Sequence, residues 1–83
     1  MNVELSSKAA KYLSKMNEPT KSRIKEALRK LGKEPPEGDI KSLVGQEGYR
    51  ARVGQYRILF DVLEDKISVY EIGPRGQIYK GGR

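Results

Sequence analysis

Apolar residues in the first 33 positions follow a helical spacing after one short extended segment. Residues 2–5 have the pattern of a strand, and Ser6 or Ser7 can cap the helix that follows, because a serine oxygen accepts hydrogen bonds from the free N–H groups of a first turn. Pro19 restarts the chain as a second helix, and Gly32 ends it. The apolar positions of the two helices lie on single faces: Ala9, Leu13 and Met16, then Ile24, Ala27, Leu28 and Leu31. This half predicts an α-hairpin whose outer face is rich in lysine.

From residue 49 onward the period changes to two, which is the period of a half-buried strand. Gly54-Gln55 suits a two-residue hairpin turn with glycine first, and Glu64-Asp65 offers a second tight turn. Segment 34–39 contains two prolines and is predicted to be a connecting loop. The expected fold class is α+β, with an N-terminal strand and an α-hairpin packed on a mainly antiparallel sheet. We expect one domain over residues 1–83.

The hairpin turn also fixes which side chains share a face of the sheet. With two residues in the turn, Arg52 stands opposite Arg57 and Ala51 opposite Ile58. One face is then apolar and turned toward the helices: Tyr49, Ala51, Val53, Tyr56, Ile58 and Phe60. The other face carries three arginines, which we call the arginine face: Arg50, Arg52 and Arg57.

Like charges directly opposite one another destabilise a sheet, because their Cβ atoms lie only about 5 Å apart. Guanidinium groups bind phosphate oxygens through a bidentate fork, so the arginine face predicts an exposed phosphate-binding site. The alternative is an ordinary solvated face, with the arginines paired to nearby carboxylates such as Glu47, Asp61 or Glu71.

Composition narrows the possible chemistry. The chain carries a net charge of +6 in 83 residues, which favours an anionic partner, either nucleic acid or an acidic protein. It contains no cysteine and no histidine, which excludes disulfides, a thiolate nucleophile, a histidine base and zinc sites built from these residues. The longest apolar run is residues 58–60, and the N-terminus lacks the apolar core of a signal peptide. We expect a cytoplasmic protein without metal or cofactor.

The C-terminal segment adds further basic residues and a tyrosine: Arg75, Tyr79, Lys80 and Arg83. Gly73-Pro74 turns the chain, so this tail can fold over the arginine face. Tyr79 can stack on a base or position its hydroxyl, or it can simply pack over an apolar residue such as Leu59 or Ile72. Lys80 and Arg83 can contact RNA or form a frayed end.

Three segments of the chain resemble the RelE branch of the RelE/ParE toxin superfamily. They are Lys41-Ser42-Leu43-Val44-Gly45, then Gly48-Tyr49-Arg50-Ala51-Arg52-Val53-Gly54-Gln55-Tyr56-Arg57-Ile58, then Ile72-Gly73-Pro74-Arg75-Gly76-Gln77-Ile78-Tyr79. The resemblance implies a type II toxin, an endoribonuclease that cleaves messenger RNA in the ribosomal A site. It also implies two partners, ribosomal RNA and a cognate antitoxin that wraps around the toxin and neutralises it.

The family's RNA-cleaving positions carry over onto five residues: Arg50, Arg52, Arg57, Arg75 and Tyr79. Three more are expected to contact RNA: Lys41, Lys80 and Arg83. Some members have lysine where this chain has Arg50 and Arg52, and a longer spacing between the positions of Arg75 and Tyr79. In the implied reaction the RNA's own 2′-OH attacks the adjacent phosphate without a metal. Arginine is a poor base because its pKa stays above about 12, so Tyr79 or Lys80 is the candidate base.

Three other interpretations remain open at the level of sequence. A ParE-like gyrase poison would share the fold without needing the arginine face. A non-catalytic or degenerate nucleic-acid-binding module would use the same charges, since binding and cleavage both require them. The arginine face can also serve mainly to hold an acidic segment of an antitoxin.

Overall fold

Residues 1–75, which the computed structural model describes, form a five-stranded mixed sheet with two helices packed on one face. The strand order is β1-β5-β4-β3-β2, with β1 parallel to β5 and the other neighbours antiparallel. The elements are β1 Asn2–Leu5, α1 Ser7–Ser14, α2 Thr20–Leu31, β2 Asp39–Ser42, β3 Tyr49–Val53, β4 Tyr56–Leu63 and β5 Lys66–Pro74. The predicted α+β architecture is confirmed.

The two helices begin and end close to the predicted residues. The Ser6 hydroxyl caps α1 by accepting a hydrogen bond from the Ala9 N–H at 3.0 Å, and it donates to the Tyr70 carbonyl of β5 at 3.0 Å. Pro19 is the N-cap of α2, and Gly32 is its C-cap. A Cβ on Gly32 would stand 2.9 Å from the Met1 carbonyl oxygen, so glycine lets the N-terminal strand approach the helix end.

Removal of the α1 cap is expected to cost about 1 kcal/mol of unfolding free energy in the variant Ser6→Ala, because an N–H group at the helix start loses its acceptor. The measurement is urea denaturation followed by circular dichroism. Ser7→Ala is the matched control, since Ser7 is exposed and makes no capping bond. Equal losses in the two variants would contradict the assignment of Ser6 as the cap.

The register predicted for the β3–β4 hairpin is confirmed. Arg52 pairs with Arg57 and Ala51 with Ile58 across a two-residue turn. Gly54 opens that turn at φ +57°, a left-handed conformation that glycine adopts without steric cost. Between β4 and β5 the register shifts by one residue at Leu59/Phe60. Leu59 pairs with Glu71 and Phe60 with Val69, so Tyr70 is the extra residue of β5 at this irregularity.

The strand β2 is absent from the sequence-based prediction, which ended its loop at residue 39 and assigned no element before residue 49. β2 pairs antiparallel with β3 and forms an edge of the sheet. It has four residues and one apolar side chain, Ile40, so it lacks the alternation that reveals a half-buried strand. Its register places Lys41 beside Arg50, which extends the arginine face by one strand.

One apolar cluster between the helices and the sheet holds the described part of the chain together. Phe60 and Ile24 are its largest buried side chains, and Tyr49 stacks on Phe60 with a centroid distance of 5.7 Å. Tyr49 lies on the helix side as predicted, but 39% of its surface stays exposed. Neither of the helices described here is long and apolar enough to cross a bilayer.

Candidate nucleic-acid interface

Two rows of side chains cross the outer face of the sheet, which is the face turned away from α1 and α2. The strand pairings define both rows from β2 to β5. The first row is Asp39, Arg52, Arg57 and Gly73, and the second is Lys41, Arg50, Leu59 and Glu71. Neighbouring strands lie about 4.8 Å apart, so the four basic residues of these rows fall within about 10 Å across the sheet.

Asp39, at one end of the first row, neutralises Arg52 only weakly. The Asp39 Oδ2 atom lies 3.8 Å from the Arg52 Nε atom, and both side chains are well exposed. An exposed pair at that distance contributes little. The Glu71 carboxylate lies 3.4 Å from the Lys8 ammonium of α1. Arg52 therefore keeps most of its capacity to bind an external anion.

Burial separates the arginines of this face into different environments. Arg57 is only 4% exposed and its row-two neighbour Leu59 is 7% exposed, whereas Arg50 is half-buried and Arg52 is exposed. The sequence predicted an exposed patch, and at Arg57 this is wrong, because the residue lies on a central strand between β3 and β5. A guanidinium held by packing loses little further freedom when it binds a ligand.

Arg75 lies at the same end of the sheet as the first row. Its backbone N–H donates to the Gln55 carbonyl at 3.1 Å, which places it beside the β3–β4 turn. Its side chain is exposed. The structure thus brings Arg75 close in the fold to Arg52 and Arg57, whereas Tyr79, Lys80 and Arg83 lie outside the described residues.

Two tyrosines of the described part are unsuitable as general bases. Burial and the neighbouring Tyr56 raise the pKa of the Tyr12 hydroxyl, and burial together with Asp61 and Glu71 raises the pKa of Tyr70. A raised pKa keeps each hydroxyl protonated at neutral pH. The bases that the sequence predicted, Tyr79 and Lys80, lie outside the described residues.

Gly48 directly precedes β3 and lies close to Asp61 and Tyr70, at the end of β3 away from the β3–β4 turn. A Cβ on this residue would stand 3.0 Å from an Asp61 carboxylate oxygen and 3.1 Å from the Tyr70 hydroxyl, and its φ is +110°. Sequence reasoning did not single out this contact, because Tyr70 belongs to the irregular stretch of β5 where alternation gives no reliable face.

Comparison with known proteins gives one family and several solved structures. Residues 3–79 match the family model described as ParE toxin of the type II toxin–antitoxin system parDE. The chain is 26% identical to a chain of the RelB–RelE antitoxin–toxin complex from Methanococcus jannaschii, covering 95% of this chain and 98% of that one, with a TM-score of 0.76. It is also 26% identical to a chain of the archaeal RelE–RelB complex from Pyrococcus horikoshii OT3, covering 92% and 96%, with a TM-score of 0.74.

The isolated E. coli RelE toxin shares the fold at 18% identity, with coverage of 98% and 93% and a TM-score of 0.69. No curated protein sequence matches the chain significantly. The sheet and helices described above are therefore those of RelE-type chains.

Proposed function

Because the chain belongs to the ParE toxin family of type II toxin–antitoxin systems, within the RelE/ParE superfamily, we propose that it is a toxin that cleaves messenger RNA in the ribosomal A site. The observation that carries the proposal is the pairing of two arginines, Arg52 and Arg57, directly opposite each other across β3 and β4. The likeness to RelE-type chains supports RNA as the target over other targets of the superfamily.

The arrangement suits a reaction in which RNA supplies its own nucleophile. The O2′–P bond forms, the P–O5′ bond breaks, the 2′-OH proton passes to a base, and the departing 5′ oxygen takes up a proton. Arg52 and Arg57 stabilise the negative charge that develops on the phosphate oxygens. Arg75, at the same end of the sheet, serves the phosphate or the leaving oxygen, and the base is Tyr79 or Lys80. No metal takes part in this scheme.

The second row extends the binding site along the strand. Arg50 and Lys41 are neighbours across β3 and β2. They lie two residues further from the β3–β4 turn than Arg52 and its β2 partner, Asp39. In the proposed scheme Lys41 holds a phosphate that flanks the cleaved one, and Arg50 acts with the cleaving residues. Guanidiniums alone make a slow nuclease, so alignment of the message by the ribosome must supply much of the acceleration.

A cognate antitoxin is the second partner that we propose. Both archaeal structures at 26% identity are complexes of a toxin with its antitoxin. An acidic antitoxin segment laid on the outer face would neutralise the same guanidiniums that the substrate needs, which makes inhibition and RNA binding mutually exclusive.

The proposal is tested by inducing the chain without any antitoxin and mapping messenger RNA 5′ ends while growth is followed. We expect growth arrest together with cuts inside translated reading frames. The downstream fragments should begin with a 5′-hydroxyl and the upstream fragments should end in a 2′,3′-cyclic phosphate or its hydrolysis product. Fragments that begin with a 5′-phosphate would contradict attack by the 2′-OH.

Gyrase inhibition is the second candidate function, and the family model's description as a ParE toxin favours it. The same induction separates the two functions, because a gyrase poison breaks DNA and leaves messages intact. A third possibility, a non-catalytic RNA-binding module, is tested by adding the purified chain to programmed ribosomes. Binding without any cleavage there would indicate a non-catalytic RNA-binding module instead of a nuclease.

A further inference from the structure

Two residues that are unfavourable in strands stand side by side at the far end of the sheet's outer face. Tyr49 pairs with Phe60, so the next position beyond the start of β3, Gly48, stands opposite Asp61 of β4. Aspartate and glycine are both depleted in strands, because neither packs well on a pleated surface. β4 lies between β3 and β5, so Asp61 is not on an edge strand where a charge would block pairing with another chain. Sheet stability therefore does not account for this pair.

Polar groups converge on the space above Gly48. The point that a Cβ would occupy lies 3.0 Å from the Asp61 Oδ1 atom and 3.1 Å from the Tyr70 hydroxyl oxygen. With φ at +110°, this position favours glycine, so the space stays free of a side chain. A cleft of about 420 Å³ opens here, and its lining includes Gly48, Asp61 and two residues of the β2–β3 loop, Gln46 and Glu47. We call this cleft, with the Tyr70 hydroxyl beside it, the Asp61 cleft.

The fold itself does not use the two polar groups of this cleft. Within residues 1–75, Asp61 takes part in no ion pair, and neither its carboxylate nor the Tyr70 hydroxyl forms a hydrogen bond. Both residues are half-buried, so each keeps a surface that a ligand can reach. Burial together with Asp61 and Glu71 raises the pKa of Tyr70, so its hydroxyl stays a hydrogen-bond donor at neutral pH. The cleft therefore offers a carboxylate acceptor and a hydroxyl donor to a ligand.

The charge of the cleft selects a neutral group as its ligand. A phosphate is repelled, because Asp61 and Glu47 both place carboxylates at the cleft. A metal ion is not favoured either, since the described residues contain no group of three or more side chains suited to hold one. A nucleobase is uncharged and carries N–H groups that a carboxylate accepts. The cleft thus fits the base of a nucleotide, whereas the arginine face fits its phosphate.

The cleft lies on the path that RNA takes in the proposed function. Gly48 and Asp61 form the next row of the outer face after the row of Lys41 and Arg50, further from the β3–β4 turn. Successive rows are two residues apart along a strand, which is about 6.6 Å. In the proposed scheme the cleaved phosphate lies at Arg52, and Lys41 holds the flanking phosphate. A nucleotide held there can extend its base by one row, into the cleft.

The donors and acceptors of the cleft distinguish the four bases. The two oxygens of a carboxylate accept two parallel N–H bonds, and guanine presents N1–H and an N2 amino group side by side, next to the acceptor O6. Adenine and cytosine each place one amino group beside a ring nitrogen that is itself an acceptor. Uracil has a single N3–H between two carbonyl oxygens, which a carboxylate repels. Guanine is the base that satisfies both the Asp61 carboxylate and the Tyr70 hydroxyl.

We propose that the Asp61 cleft binds a guanine base of the message, in a nucleotide that flanks the cleaved bond, and so gives the toxin a preference for sequence. This inference rests on the proposed function. Asp61 accepts hydrogen bonds from N1–H and the N2 amino group of guanine, and the Tyr70 hydroxyl donates to O6. The arginines stabilise the reacting phosphate, and the cleft determines which positions of a message are cut.

The test uses the variant Asp61→Asn, which keeps the size of the side chain but replaces one acceptor oxygen by an amide donor. Asp65→Asn is the matched control, because it makes the same chemical change in the exposed β4–β5 turn. Tyr70→Phe removes only the hydroxyl of the cleft. Folding of all three is checked by circular dichroism. Each protein cleaves programmed messages that carry guanine, adenine, cytosine, uracil or inosine at one flanking position at a time, and kcat/KM is compared between bases.

We expect the parent and Asp65→Asn to prefer guanine at one flanking position by about tenfold, within the range for a bidentate contact to a base. Inosine lacks the 2-amino group and should be cut more slowly than guanine. In Asp61→Asn the four natural bases should be cut within about twofold of one another, and Tyr70→Phe should keep part of the preference. A parent without base preference, an unchanged preference in Asp61→Asn, or an equal loss of rate on every base in that variant would overturn the proposal.

A second measurement separates this proposal from the proposed function. Short 2′-O-methyl oligoribonucleotides cannot be cleaved by 2′-OH attack, and their binding, followed by fluorescence anisotropy, requires no ribosome. An oligouridine with one guanine should bind the parent more tightly than oligouridine alone, and Asp61→Asn should lose that difference. This result supports the cleft even where cleavage on ribosomes fails. Unchanged selectivity in Asp61→Asn, with weaker retention of a co-expressed antitoxin, would assign Asp61 to the protein partner and overturn the proposal.

Discussion

Replacement of Arg52 by alanine is expected to lower the rate of messenger RNA cleavage on programmed ribosomes by about 10²–10³-fold, the usual loss when one preorganised donor to a developing negative charge is removed. Arg52 is the exposed member of the opposed pair with Arg57, and its contact with Asp39 is long at 3.8 Å. Its guanidinium is therefore available to the phosphate. The measurement is single-turnover cleavage at saturating toxin.

The fold should tolerate this change. Removing one of two like charges that stand directly opposite in the sheet relieves repulsion, so the unfolding free energy of Arg52→Ala should stay within about 0.5 kcal/mol of the parent or rise slightly. Asp39→Asn is the matched control, because it removes the other partner of the same ion pair and should leave cleavage within about threefold. Arg52→Lys keeps the charge but loses the bidentate fork, and we expect an intermediate rate. Cleavage by Arg52→Ala within tenfold of the parent would remove Arg52 from the reaction.

The elements that the sequence predicted correctly are those whose signal is local. The β3–β4 register followed from one glycine in a two-residue turn, since that turn fixes every pair up to the ends of both strands. The helices followed from apolar spacing, and capping chemistry narrowed the cap of α1 to Ser6 or Ser7, of which the structure shows Ser6. Pairing of β1 with β5 joins residues more than sixty positions apart, and no local pattern specifies that.

For the candidate site, alternation predicted the face of each arginine, but the exposure expected for all three is wrong at Arg57. The period of two places Arg57 on the face of the sheet turned away from the helices, but it does not show how deeply that side chain is buried. The lysine-rich outer face of the helical half was predicted from the same spacing. A count by halves hides it, because each half of the chain, divided at residue 40, has a net charge of +3 once Glu4, Glu34, Glu37 and Asp39 are counted together with the helices.

Arg57 is expected to be as important for cleavage as Arg52, but its burial changes the variant that can show this. With 4% of its surface exposed, Arg57 fills space in the described fold, so Arg57→Ala removes a packed aliphatic stem as well as a charge. At about 0.8 kcal/mol for each buried methylene, the lost stem costs about 2 kcal/mol of unfolding free energy. Loss of growth arrest in that variant would not distinguish lost chemistry from a destabilised fold.

Arg57→Gln separates the two effects, because glutamine keeps part of the stem and an N–H donor while it removes the charge and the planar fork. We expect Arg57→Gln to cleave about 10²–10³-fold more slowly than the parent and to be more stable than Arg57→Ala. Thermal denaturation is measured beside single-turnover cleavage for both variants. A glutamine variant that is folded and cleaves within tenfold of the parent would show that Arg57 supports the sheet and takes no part in the reaction, which would leave Arg52 and Arg75 to stabilise the phosphate.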